Sequence, residues 1–589
     1  MAANNLIHDT VINRNPPGNE NAKIEVIERK AAEGLYFFDV KMTLAQTDFP
    51  KKFTVSWRIP MHDIYATWNP TFRTEDTRVA PEWWPQVNES RLASGVPVIS
   101  VLASGGNNRM AVALSDAKTP IKMRTGACED NAYFVARIDF FTIPVAPLKE
   151  YTATIRVDIR DIPYYDSLYD VTEWWESECG YIPAEVPEYA RLPMNSLWYS
   201  FHQELSDNED IFNECRLSKA LGMDTVIVDD GWQCDNDSRG YAYCGDWEVI
   251  PTKIPDMKEF VDRIHETGMK MMLWYSVPFI GVHSKNYEKF KDMLLDDTGD
   301  IGGGQWRSFD PRYPEVREFL VNTYVTALRE WGLDGFKLDF IDSFELRGKS
   351  LEYDARRDYQ SLEDAVDALM TEVKDALTAI KSDILIEFRQ KYVGPAIRKY
   401  GNMLRVADCP NDAIANRFNI VKLRYTSGNT AVHSDMIMWH YDEPVESAAL
   451  QFVNILYSVP QVSMRIARLR DDHKKMLTYY LKFWRDNRDI LLDGKLIGEH
   501  PESYCTTVRA EKDGKAIVTA YSSSLVDCSA YAEVIAVNGT GAGELLLRGA
   551  KGADYRVVNC MGEEIASGRI DAEIFALDVA PAGMVFIKK

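Results

Sequence analysis

The sequence contains no C-x-x-C pair and no H-E-x-x-H element, which argues against a structural zinc module and a zincin centre. No metal or other cofactor is expected. The chain also lacks any apolar run approaching the ~18 residues of a membrane-spanning helix. Its most apolar stretch, residues 269–280, is shorter and contains Lys270. A dense basic stripe is missing too. With 67 Lys and Arg against 89 Asp and Glu, net charge −22, the chain would repel a phosphate backbone, so neither nucleic acid nor membrane is an expected partner. The opening segment, MAANNLIHDTVINRN, has no basic region leading into an apolar one; no secretory signal is read there, and a cytoplasmic location is the expectation. No internal repeat or low-complexity stretch occurs. The nine cysteines, odd in number and scattered, read as reduced thiols rather than a disulfide framework.

What is present is ordinary globular material, 46% apolar and 26% charged residues. At roughly 100–200 residues per domain, 589 residues predict three or four domains, or one large barrel with attachments. Residues 1–185 hold short β-rich runs (52–59, 96–102, 151–159) between Pro, Gly, Asn and Asp clusters, the pattern of an antiparallel sandwich. Trp68, Trp83 and Trp84 read as core or interface residues of this part. Residues 173–187, with Trp174, Trp175 and two prolines, read as a connector.

From about Asn195, apolar strands alternate with amphipathic helices. The expected strands are 196–201, 225–228, 270–275, 335–339, 384–388, 403–407, 431–436 and 461–466. Between them lie helical patterns such as 361–380, where Leu362, Val366, Leu369, Val373 and Leu377 share one stripe. Eight such units predict a (β/α)8 barrel over 186–488; a doubly wound open sheet is the runner-up. Residues 489–589 return to short alternating runs and predict a small C-terminal antiparallel β-domain. The Gly302-Gly303-Gly304 run lacks the Lys-Ser/Thr of a phosphate loop and reads as a flexible loop over the barrel mouth.

Catalytic side chains of such a barrel project from the C-terminal ends of its strands, and here those ends are acidic. The second strand finishes in Asp229-Asp230-Gly231-Trp232, the fourth in Lys337-Leu338-Asp339 with Asp342 beyond, and the fifth in Glu387-Phe388-Arg389. The sixth ends in Arg405-Val406-Ala407-Asp408 and the seventh in His433-Ser434-Asp435. One acid after a strand is an ordinary helix cap. Several on one face repel one another, and a function must hold them there. Two carboxylates with Arg, Lys and Trp nearby, and no metal motif, suit glycoside hydrolysis. One carboxylate attacks or positions water at the anomeric carbon and the other protonates the leaving oxygen.

On these residues the chain resembles the melibiase-type α-galactosidases, glycoside hydrolase family 36. The matching elements run in order: the DDGW of Asp229–Trp232, then Gly245-Asp246-Trp247 followed by Lys253 and Pro255, then Gly268-Met269-Lys270 leading to Trp274. After them come Asp334, Lys337 and Asp339, and finally Arg405 and Asp408 followed by Asp412, with Val432-His433-Ser434 approximating an H-V-S element. The resemblance covers about half the chain and implies the same sandwich, barrel and C-terminal β-domain. It implies a retaining exo-acting α-glycosidase, most simply an α-galactosidase on terminal α-galactosyl units of oligosaccharides, working through a covalent glycosyl-enzyme. Asp339 would be the nucleophile and Asp408 the acid/base. Asp229, Asp230, Lys337 and Arg405 would hold the sugar, Trp232 or Trp274 would line the pocket, and Asp412 and His433 are further candidates. Relatives are often dimers or tetramers, so a homo-oligomer is also implied.

Two departures stand out. Where family members often carry a Cys-Ser-Gly-rich loop after the fifth strand, this chain has Glu387-Phe388-Arg389-Gln390-Lys391-Tyr392; where they have Trp-Thr-Ser before the acid/base, it has Arg405-Val406-Ala407. That loop meets the sugar on its C2 side in relatives, so Arg389 becomes a substrate-binding candidate. An α-N-acetylgalactosaminidase, another α-glycoside specificity or a transglycosylase on the same scaffold are the alternatives. An inactive carbohydrate-binding protein is the alternative from another class. His433 reads first as a hydrogen-bonding residue, and Cys234 and Cys409 as bystanders.

Overall fold

Eight short segments with apolar side chains on both faces can only be covered on both sides, and they are. In the computed structural model they form one parallel sheet. Barrel strand 1 is Met194–Ser196, strand 2 Thr225–Val228, strand 3 Lys270–Ser276 and strand 4 Gly335–Asp339. Strand 5 is Leu385–Arg389, strand 6 Met403–Arg405, strand 7 Ala431–His433 and strand 8 Gln461–Val462. Neighbours in sequence are neighbours in the sheet, and strand 8 returns to strand 1. Parallel bridges His433–Val459 and Ile437–Val462 draw the last gap together. The structure describes residues 7–12 (as a backbone strand only), 22–71, 77–235, 241–295, 305–346, 352–389 and 391–589. The Gly302-Gly303-Gly304 run and Gln390 lie outside the described residues.

The helices cover the barrel for reasons visible in their sequences. Leu362–Ile380 begins where the Ser361 hydroxyl accepts from the Asp364 amide at 3.1 Å, and all five residues of the predicted stripe are buried. Pro314–Trp331 starts on its own proline and stops at Gly332, whose φ of 73° suits a residue without a Cβ.

Before the barrel, two antiparallel sheets of five and six strands face each other. Their shared core is rich in aromatic and branched residues such as Phe38, Trp57, Ile99, Phe134 and Ile155. After the barrel comes a seven-stranded sheet with a three-stranded one beside it. Most of its pairs are antiparallel, while Lys515–Ala520 with Glu533–Asn538 and Leu525–Asp527 with Glu544–Arg548 run parallel. One continuous buried cluster reaches from Trp68 and Trp175 through the barrel to Ile517, so the three regions pack as neighbours.

Three local expectations are corrected. The first strand ends at Ser196, and Trp198–Phe201 is a helical turn; the apolar run reflects burial, not extension. The connector holding Trp174 and Trp175 starts inside a helix, Tyr164–Ser177, whose two tryptophans are buried, the Trp175 indole donating to the Leu114 carbonyl at 2.9 Å. Trp83 and Trp84 are not core: they are 70% and 74% exposed, whereas Trp68 is buried.

Candidate active site

The acidic strand ends meet at one mouth. Asp339 closes strand 4, and its carboxylate is the most heavily bonded of the set. One oxygen accepts from Arg389 Nε at 2.6 Å, from the Phe340 amide at 2.8 Å and from the Tyr392 hydroxyl at 3.4 Å. The other accepts from the Trp274 indole at 2.8 Å. Burial pushes this carboxyl up, but the nearby Arg389 and Lys337 charges outweigh it and hold it below the ordinary range. Asp339 is thus a buried, ionised carboxylate. Phe340 beside it has φ 64°, a left-handed conformation costly for an aromatic residue, and its ring stacks on Phe279 at 4.8 Å.

Asp408 lies three residues beyond strand 6, with 45% of its side chain exposed. Each oxygen sits on a guanidinium: one on Arg405 Nη2 at 2.7 Å, the other on Arg389 Nη1 at 2.8 Å. Burial raises this carboxyl, and the arginines more than reverse the effect, leaving it well below the usual range. Arg389 therefore joins Asp339 and Asp408 through one side chain. Arg405, fully buried, also pairs with Asp435 at 2.5 Å. Asp435 takes the Cys409 amide at 2.8 Å and the Tyr199 hydroxyl at 3.2 Å.

On the opposite wall, Lys337 Nζ pairs with Asp229 at 2.6 Å, both side chains only 4% exposed. Lys337 and Asp339 share a face of strand 4 by the two-residue alternation of a strand. Asp230 accepts from Gln203 and Gln233, each at 2.7 Å, and burial, with the Asp229 charge adding to it, raises its carboxyl to about 6. The DDGW turn is pinned from below. Lys253 Nζ donates to the Gln203 and Gly231 carbonyls at 2.9 and 3.0 Å, which is the structural reason for a Lys-x-Pro after Gly-Asp-Trp. Gly231, at φ 116°, has no room for a Cβ, which would stand 2.7 Å from the Gln203 Cβ.

The remaining expected residues are placed as follows. Trp274 lies beside the half-buried Tyr241, with ring centroids 6.2 Å apart, and Tyr241 in turn meets Trp306 and Phe340. Trp232 is fully buried, its indole donating to the Trp274 carbonyl at 2.9 Å and its ring among Trp247, Tyr275 and Trp331. Asp412 caps the helix Ala413–Arg424 by accepting from the Ala415 amide at 3.0 Å. His433 is buried under the site, bonded to the Ala190 carbonyl at 2.8 Å and facing Gln461 at 3.2 Å. Burial lowers its ring to about 4, with Arg405 adding to the effect, so it is neutral. Asp334, the first acid of the D-x-x-K-x-D block, stands at the opposite end of strand 4. There it gathers His265, Lys270, Lys381 and the Met271 amide.

The fold adds residues that motif spacing does not mark as site residues: Tyr392 on the nucleophile candidate, Tyr199 and Asp435 behind Arg405, and the Tyr241–Trp306–Phe340 wall. The N-terminal region also braces the mouth, with Arg91 donating to the Asp342 and Phe344 carbonyls and the Gly95 amide to the Lys391 carbonyl. Among the described residues no His, Cys, Asp and Glu cluster is arranged to hold a metal, and no helix is long and apolar enough to cross a membrane. A buried ionised carboxylate, a second carboxylate on the same arginine, buried polar side chains and a half-buried aromatic wall suit a polyhydroxylated ligand at a carbon open to displacement.

Comparison with known proteins agrees. A family model described as Melibiase matches residues 197–494, just over half the chain. Alpha-galactosidase Mel36A of Lactobacillus acidophilus is 34% identical over 95 residues, 15% of this chain and 13% of that one. The A type blood alpha-D-galactosamine galactosaminidase of Flavonifractor plautii is 28% identical over 138 residues, 21% and 12% of the two chains. These alignments therefore span about an eighth of the curated relatives' length. The solved alpha-galactosidase AgaA from Geobacillus stearothermophilus has the same fold, with TM-score 0.64 and 15% identity over 99% of this chain and 87% of that one. By its family-model match and its fold, the chain belongs to the melibiase family.

Proposed function

We propose that the protein is a retaining, exo-acting α-galactosidase that hydrolyses terminal α-galactosyl units of oligosaccharides through a covalent glycosyl-enzyme. The observation carrying this reading is that Asp339 and Asp408 stand on the two ends of one guanidinium. That keeps the two carboxyl groups close, as a retaining pair requires at roughly 5–5.5 Å. Solved AgaA variants in complex with raffinose and with stachyose support the substrate class. Asp339 attacks the anomeric carbon; its charge is in place without prior proton loss. Asp408, at the open mouth, serves the leaving group in the first step and takes the proton of the attacking water in the second. Asp229, Asp230 and Lys337 bind the sugar hydroxyls, and Trp274 with Tyr241 covers its apolar face. In this reading residues 186–488 carry the chemistry, and 1–185 and 489–589 are flanking β-domains.

The test is hydrolysis of 4-nitrophenyl α-galactoside. Wild type turns it over, and Asp339→Asn loses at least about 10³-fold in kcat. Near-wild-type rates in Asp339→Asn would sink the assignment. One relative's name, galactosaminidase, favours a second reading with a 2-acetamido sugar; parallel kinetics on the 2-hydroxy and 2-acetamido aryl glycosides decide between them.

A further inference from the structure

A general acid must carry a proton when the bond breaks, and the surroundings of Asp408 do not favour one. Both its oxygens are taken by guanidinium groups, Arg405 at 2.7 Å and Arg389 at 2.8 Å. The other charges facing it are Lys337 from strand 4, which favours ionisation, and Asp435 beyond strand 7, which opposes it. Tyr199 and Cys409 complete the surroundings and are un-ionised, since burial pushes both well above their ordinary values. Three cations against one buried carboxylate leave Asp408 ionised at neutral pH.

Arg389 has a second property. Its Nε is on the nucleophile candidate and its Nη1 is on the residue at the leaving-group side. As the glycosyl-enzyme forms, negative charge leaves Asp339 and appears on the departing oxygen. That displacement runs from one end of the same fixed, 7% exposed guanidinium toward the other. A preorganised cation along the path of charge transfer lowers the barrier, and does so most when the charge is fully expressed on the leaving oxygen.

We propose that Arg389 is a positioning residue that locks the two reacting carboxylates into one ion bridge and tunes this chain to α-glycosides whose aglycone departs as a stabilised anion. The inference rests on the retaining α-galactosidase reading above and narrows its leaving group. The step balances without an acid. An Asp339 oxygen supplies the electron pair of the new bond to the anomeric carbon, while the glycosidic carbon–oxygen bond breaks and its pair leaves on the aglycone oxygen. Water then attacks the anomeric carbon and gives its proton to Asp408. The ester bond breaks with its pair returning to Asp339, and the proton passes from Asp408 to solvent. Aryl and acyl glycosides and glycosyl phosphates fit this step; a sugar alkoxide, as in an oligosaccharide, needs the protonated minority form of Asp408 and is favoured only toward acid pH.

The kinetic test is a series of aryl α-galactosides of graded leaving-group acidity, with raffinose as the unactivated member, assayed from pH 4 to 8. Wild-type kcat/KM at pH 7 should fall steeply as the leaving group becomes less acidic, and Arg389→Met should flatten that slope by about 10²-fold or more over the series, the usual scale of acid assistance. Arg389→Met should also move the descending limb for raffinose to higher pH, while Arg389→Lys keeps a steep slope. A wild-type series that is flat at pH 7 overturns the proposal. A second readout needs no substrate: 13C NMR of aspartate side-chain carbons, with the Asp408 signal assigned by its loss in Asp408→Asn. The proposal requires that signal to stay ionised to well below pH 4 in wild type and to titrate higher in Arg389→Met; titration at or above pH 4 in wild type overturns it. If no α-galactoside is turned over, the proposed function fails, and the titration alone still decides the ion bridge.

Discussion

Replacing Lys337 by methionine isolates the buried ion pair at the back of the site. Lys337 Nζ and Asp229 are 2.6 Å apart, with 4% of each side chain exposed. Methionine keeps most of the stem volume but leaves Asp229 as a buried, uncompensated charge. Breaking a buried pair from one side costs about 3–5 kcal/mol, which for a region this size lowers Tm by roughly 10 °C. Thermal unfolding of wild type, Lys337→Met, Asp229→Asn and the double variant closes a mutant cycle. The double variant removes both charges and should recover about 2 kcal/mol or more of the single Lys337→Met loss. Activity should be lost in all three, because the sugar contacts and the Lys337 contribution to Asp339 go together. A Lys337→Met shift below about 1 °C, or a double variant no more stable than the single, would refute the reasoning that this pair is buried and mutually compensated.

Other consequences follow from individual residues. Asp412→Ala removes the cap on Ala413–Arg424 and should cost about 1 kcal/mol with kcat nearly unchanged; a loss of activity without a loss of stability would assign Asp412 to the sugar. His433 is held neutral, its ring lowered to about 4 in the fold against about 6.5 unfolded. The unfolded chain therefore binds the extra proton between those values, so this residue's contribution falls as pH drops from 6.5 to 4, by about 3 kcal/mol at most. His433→Gln should flatten the stability curve across that window relative to wild type, and parallel curves would contradict it. Gly231→Ala forces a Cβ against Gln203 at a φ of 116° and should reduce both Tm and kcat, because the Asp230–Gln203 bond moves with the turn. EDTA treatment should leave activity unchanged.

The barrel is legible in sequence because its strands are buried on both faces and read as short apolar runs, and because the strand ends carry their polar residues in fixed positions. Asp229, Lys337, Asp339 and Asp408 converge from strands far apart in the chain, as their placement after strands 2, 4 and 6 implies. What sequence spacing does not convey is direction. Trp232 and Trp274 look alike in a motif, yet one indole is turned into the core and the other onto Asp339. Asp412, one turn beyond Asp408, resembles a second acid but spends its carboxylate on the helix behind it. The Arg389 bridge pairs residues 50 and 19 positions apart, a contact no local pattern marks. Its only sequence trace is a charged side chain where relatives often have a small one.

The measurement that tests the central claim most directly is the site of covalent attachment of a slow α-galactosyl donor. The protein is incubated with 5-fluoro-α-galactosyl fluoride, quenched in acid, digested and analysed by mass spectrometry. One galactosyl unit is predicted on the peptide that contains Lys337-Leu338-Asp339, with Asp339 as the modified residue and no label in Asp339→Asn. A label on any other carboxylate, or turnover that releases the sugar with inverted anomeric configuration, would contradict the account.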